Sequence, residues 1–163
     1  VLREFRGLPH RCQTVMELNG VTYINDSKAT NVGATLAAIQ GFSSSGSAGT
    51  HSAGANNLIL IAGGQAKGQD FSPLASALAG MVKQLVLLGE DASIISDAVI
   101  SNAASGGVDT VYATNLTDAV ELSRRAAVPG DIVLLSPACA SFDMFSGFTE
   151  RGDQFVAAVE GLR

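Results

Sequence analysis

Three short stretches hold side chains that could do chemistry. The first, Asp26-Ser27-Lys28-Ala29-Thr30-Asn31, sets a carboxylate two residues ahead of a lysine and follows with hydroxyl and amide groups. Its bland reading is a surface ion pair at a helix start, worth about 0–1 kcal/mol. Its functional reading points the ammonium and the helix amino end at an anion, where charge and dipole act together. A lysine, as a point charge, suits a phosphate that moves during reaction. The second stretch, Gly63-Gly64-Gln65-Ala66-Lys67, is a glycine turn carrying one of the chain's few lysines. It fits neither the G-x-x-x-x-G-K-[ST] nor the G-x-G-x-x-G phosphate loop. The third runs Ser136-Pro137-Ala138-Cys139-Ala140-Ser141-Phe142-Asp143-Met144-Phe145. Small residues there let the backbone approach a ligand, and Ser141 offers a hydroxyl and an amide, while Phe142, Phe145 and Phe148 read first as core or lid packing. Other chemistries lack support. Cys139 with His10 as nucleophile and base has no cysteine-enzyme signature around it, no G-x-S-x-G elbow exists, and two histidines are too few for a metal site.

Each stretch directly follows a run that reads as a strand. Gln13–Leu18 and Val21–Asn25 alternate like strands around Asn19-Gly20, a hairpin turn signal. Thr30 or Asn31 is placed to cap a helix over 32–40 that Gly41 closes. Residues 43–57 are Ser/Gly/Ala-rich and read as a surface loop lengthened by insertion. Leu58–Ala62 is a buried strand stopping at Gly63-Gly64, and Ser72-Pro73 starts a helix to about 79. The pattern then predicts a strand over 84–88, a helix over 92–104, a strand over 110–113 and a helix capped by Thr114 or Asn115 to about 127. Pro129-Gly130 turns into the strand Ile132–Leu135, and an amphipathic helix over 149–162 ends the chain. Repeated alternation of strand and helix predicts a Rossmann-like α/β domain. Its mostly parallel sheet of about six strands is covered by helices on both faces and carries an N-terminal β-hairpin. In such a sheet the three stretches crowd one rim, beyond the carboxyl ends of the strands.

Size and composition agree with one domain: 163 residues, 47% hydrophobic and 15% charged. A net charge of −5 argues against nucleic acid and anionic membranes as partners. The acid is uneven, because residues 1–81 hold five basic and four acidic side chains against five and eleven in 82–163. The cations Arg3, Arg6, Arg11, Lys28 and Lys67 therefore leave room for a local anion site. Cys12 and Cys139 are too few for a disulfide framework or a cysteine-based zinc site. No membrane span or secretory signal is apparent, which leads to the expectation of a cytoplasmic protein. Residues 1–8 read as a linker remnant and 9–163 as the domain proper.

Together, Leu8-Pro9-His10-Arg11, the D-S-K-A-T-N run, the G-G-x-x-K turn and S-P-A-C-A-S-F-D-M-F…F-x-x-R-G resemble the C-terminal domain of the D-glutamate-adding Mur ligases. They come in that family's order and span about 8–162. Sister Mur ligases and folylpolyglutamate synthetases share the fold but carry D-Y-[AG]-H-x-P-like versions of the first motif. The resemblance implies ATP-dependent addition of D-glutamate to UDP-N-acetylmuramoyl-L-alanine through an acyl phosphate. It implies a catalytic Lys28 near the transferred phosphoryl group, with Arg11, Asp26 and Lys28 on ATP. Thr30, Lys67, Ser141, Phe142 and Phe148 would form the D-glutamate pocket. ATP, Mg2+ and the UDP-muramoyl substrate would be held mainly by UDP-binding and ATPase domains outside this chain. A monomer, inactive by itself, is expected. Two alternatives stay open: another amino-acid ligase of this superfamily, and a non-catalytic Rossmann-like anion-binding module.

Overall fold

The computed structural model describes residues 8–44, 56–102 and 108–163. In chain order the elements are β1 (Gln13–Leu18), β2 (Val21–Asn25), α1 (Val32–Ser44), β3 (Leu58–Ala62), α2 (Ser72–Leu78), β4 (Val82–Leu87), α3 (Ala92–Ser101), β5 (Asp109–Tyr112), α4 (Leu116–Ala126), β6 (Ile132–Leu135) and α5 (Phe148–Glu160). The sheet order is β1-β2-β6-β3-β4-β5, antiparallel between β1 and β2 and parallel elsewhere. The expected hairpin is thus one margin of the sheet, because its second strand pairs with β6.

Alternation along the central strands builds two cores. Leu58, Leu60 and Ala62 of β3 join Ile132 and Leu134 of β6 under α1, α2 and α3. Ile59 and Ile61 join Val133 and Leu135 under α4 and α5. Strands buried on both faces need no polar alternation, which is why these runs are continuously apolar. Asn19 (φ 53) and Gly20 (φ 77) both take the left-handed conformation that a two-residue hairpin requires.

Several boundaries differ from expectation. Gly41 does not stop α1, which continues to Ser44. Its φ is not positive, so it serves as a helical residue and not as a left-handed cap. The loop predicted over 43–57 thereby loses two residues to the helix, and 45–55 lie outside the described residues, as do 1–7. β4 begins at Val82, two residues early, because Val82 faces the first core. α3 stops at Ser101, where the Asn102 amide bonds Val99 O, and 103–107 lie outside the described residues. Among the described residues no helix is long and apolar enough to cross a membrane.

Candidate functional site

The parallel register lays the three loops side by side. Asn25 is level with Leu135, which is level with Ile61. Just past them the backbone sews the loops together. Asp26 N donates to Leu135 O at 2.8 Å, Ser136 N to Ile61 O at 3.2 Å and Gly63 N to Pro137 O at 2.9 Å. Gln65 and Ala140 then exchange backbone hydrogen bonds at 2.9 and 3.1 Å. Glycine is obligatory at this crossing. A Cβ on Gly64 (φ +135) would meet Ala140 O at 2.2 Å, and one on Gly63 (φ +120) would meet Leu88 O at 1.9 Å.

Two hollows open on this rim. The first, about 610 Å³, brings together Arg11, Asp26 and Lys28 with Cys12, against an apolar wall of α1 formed by Ala34, Ala37, Ala38 and Phe42. The second, also about 610 Å³, brings together Thr30, Lys67, Ser141, Phe142 and Phe148, with Asn31 and Gln69 beside them. The residues expected at a nucleotide and those expected at an acidic amino acid thus occupy separate hollows. Lys28 connects them: it borders the first, and its Nζ lies 5.5 Å from the ring centroid of Phe148 in the second.

Asp26 and Lys28 do not form the surface ion pair of the bland reading; the ion pairs among the described residues lie elsewhere. Asp26 is 7% exposed and accepts from Cys12 N at 3.1 Å and Ser136 Oγ at 2.8 Å. Burial raises its carboxyl above the ordinary range, and those two hydrogen bonds oppose the rise. The Cys12 thiol is pushed up to about 11, first by burial and then by the Asp26 carboxylate. Cys139 is fully buried, and burial drives its thiol to about 12, an inert position for a nucleophile.

The amino end of α1 is not the open anion site that the functional reading assumed. Gln69 Oε1 accepts the Val32 amide at 2.9 Å, and Asn31 Oδ1 accepts the Ala34 amide at 2.9 Å. A helix start leaves orphan N–H groups, and here the protein's own side chains take two of them. The site's available positive charge is therefore on side chains.

Sequence reasoning gave no role to three residues that hold the site. Arg151 is 2% exposed and donates to Ser27 Oγ at 3.0 Å, Ser27 O at 2.7 Å and Cys139 O at 3.0 Å, clamping two loops to α5. Burial lowers it from 12.5 to about 10. A signal was present: Arg151 lies on the buried stripe of α5 with Phe155 and Val159. Ser136, which bonds Asp26, stood at the head of a motif without an assignment. Gln69, whose Nε2 also donates to Ala66 O at 2.9 Å and Ala138 O at 3.1 Å, had no sequence signal. Phe145 packs against the second core, the packing role expected of it. Among the described residues no three His, Cys, Asp or Glu side chains gather as metal ligands would.

A mostly parallel sheet with ligand-ready loops past its strand ends defines a Rossmann-like α/β domain. Residues 10–139 match the family described as Mur ligase, glutamate ligase domain, and the chain belongs to the Mur ligase family. It is 54% identical over 162 residues to the UDP-N-acetylmuramoylalanine–D-glutamate ligase of Marinobacter nauticus. It is 50% identical over 161 residues to the enzyme of the same name from Hahella chejuensis. Each match covers 99% of this chain and 33% of the relative, so the chain spans about a third of the length of these curated relatives. Among solved structures, a murein peptide ligase from Psychrobacter arcticus superposes with a TM-score of 0.63 at 15% identity, covering 97% of this chain and 31% of that one. Mycobacterium tuberculosis folylpolyglutamate synthase, complexed with ADP, gives 0.62 at 16% identity, covering 93% and 32%. Those two likenesses establish the fold.

Proposed function

We propose that this chain is the amino-acid-binding third of an ATP-dependent ligase that adds D-glutamate to UDP-N-acetylmuramoyl-L-alanine in peptidoglycan synthesis. The observation that carries the reading is the position of Lys28, on the border of one hollow and against the ring of the other. A cation so placed can answer both the phosphoryl group being transferred and the carboxylate of the incoming amino acid. The names and identities of the curated relatives support the substrate.

In this reading Arg11 and Lys28 take nucleotide phosphates and Asp26 a ribose hydroxyl, with the α1 wall offering apolar contact. Those donor and acceptor types fit a nucleotide. Thr30, Lys67 and Ser141 supply the hydroxyls and charge for the two carboxylates of D-glutamate, and Phe142 and Phe148 give the hollow its shape. The reaction activates the muramoyl-L-alanine carboxylate as an acyl phosphate that the D-glutamate amine attacks. Lys28 contributes by balancing the charge that builds during transfer. ATP, Mg2+ and the UDP-muramoyl substrate are held mainly by the rest of a cytoplasmic, monomeric enzyme. The 163-residue chain alone is then inactive, because the phosphates need an opposing cradle brought up by closure.

Titration of this chain with D- and with L-glutamate, followed by NMR, tests the reading. Shifts at Thr30, Lys67 and Ser141 that favour the D enantiomer are expected. Equal responses to both enantiomers, or none at these residues, refute it.

A further inference from the structure

Lys67 is held in an unusual way. Its backbone takes a left-handed φ of 51, it is exposed, and no carboxylate lies within ion-pair distance of it among the described residues. Its Nζ rests 5.5 Å from the ring centroid of Phe142. Phe142 is itself 63% exposed, so the ring fills no core space. The backbone beneath it is fixed. Ser141, its neighbour, is 2% exposed, and Ser141 O accepts from Met144 N at 3.2 Å and Phe145 N at 2.9 Å. Asp143 Oδ2 accepts from Glu90 N at 2.9 Å. A rigid base thus presents an aromatic face to a side chain that otherwise has many rotamers to lose on capturing a ligand.

We propose that Phe142 is a positioning residue whose ring holds the Lys67 ammonium at the mouth of the second hollow. In this role the ring, one wall of that hollow, acts through the lysine. The inference rests on reading that hollow as the D-glutamate site. The electron-rich face takes one side of the ammonium and leaves N–H donors for a ligand carboxylate. Ordering of the lysine therefore precedes binding.

The test uses the 163-residue chain labelled with [13Cε]lysine. It has three lysines, Lys28, Lys67 and Lys83, and Lys83 is ion-paired with Asp131, which makes it an internal reference. The Lys67 Hε signal is expected upfield of the Lys83 signal through the ring current. It should move back in Phe142→Leu and stay upfield in Phe142→Tyr. On the same samples D-glutamate affinity should weaken about two- to five-fold in Phe142→Leu, the size of one exposed cation–π contact, and recover in Phe142→Tyr. The melting temperature should be the same in all three, as for a surface substitution. A Lys67 signal indifferent to Phe142→Leu overturns the inference, and so does undiminished D-glutamate affinity in that variant. A Lys67 signal that responds to Phe142→Leu, in a parent chain giving no D-selective shifts, upholds the ring–ammonium contact and overturns the reading of the hollow.

Discussion

Arg151→Met should unfold this protein more readily by about 3 kcal/mol, and the structure gives both sides of the balance. The guanidinium makes three hydrogen bonds, to Ser27 Oγ, Ser27 O and Cys139 O. Bonds from a charged donor contribute about 1.5–3 kcal/mol each, so together roughly 4.5–9 kcal/mol. Against them stands desolvation of a cation with no carboxylate at ion-pair distance among the described residues, Asp143 acting on it only from farther away. The fall from 12.5 to about 10, chiefly from burial, corresponds to about 3 kcal/mol. The difference is roughly 1.5–6 kcal/mol in favour of arginine. Methionine keeps much of the stem volume but removes every donor. Urea unfolding followed by circular dichroism measures the loss, with the slope checked for unchanged compactness. In a domain of this size the melting temperature should fall by about 6–12 °C. D-glutamate affinity should fall too, since both clamped loops line or support the second hollow. A loss below about 1 kcal/mol would show that hydration and hydrogen bonding cancel here, as for some buried ions replaced by apolar groups, and would refute the clamp.

Three further outcomes are expected. In the full-length enzyme Lys28→Ala should cost more in turnover than in nucleotide affinity, measured by steady-state rates and equilibrium binding; equal small effects would contradict its assigned role. Asp26→Asn should be more stable than the parent at neutral pH. The folded chain holds the Asp26 proton above its ordinary 3.8, so the stability from that proton is full below 3.8 and lost as pH rises through the raised value. Denaturation in acid should close the gap between the two proteins, and a gap that persists there would remove burial as its cause. Gly64→Ala, with its Cβ 2.2 Å from Ala140 O at φ +135, should destabilise by at least about 2 kcal/mol. Amide exchange should report loss of the Gln65–Ala140 pairing, and protected amides there would contradict it.

Strands and turns were readable because local chemistry decides them. Leu58–Ala62 and Ile132–Leu135 are apolar throughout and bounded by turn residues, and Asn19-Gly20 admits few alternatives. That the three loops share a rim was readable from one rule, that loops after parallel strands end on the same side of the sheet, whereas the role expected of each residue came from the family resemblance. What held those loops was not, because it depends on partners distant in sequence. Arg151 meets Ser27 across 124 positions, and Gln69 meets Val32 across 37. Gly41 misled for a related reason: a glycine past an apolar pattern resembles a helix stop until the backbone is seen to continue. The separation into two hollows, with Lys28 between them, likewise exists only after folding.

The turn at Leu8–Arg11 is tied to the site as well as to the sheet. His10 O accepts the Lys28 amide at 3.0 Å, and the neighbouring Cys12 amide bonds Asp26 at 3.1 Å. Any tag, fusion or crosslink anchored just ahead of residue 8 therefore pulls on the two charged groups that most need to stay in place. An appendage placed after α5 instead follows Arg163, which is exposed and lies past the end of that helix distant from Phe148.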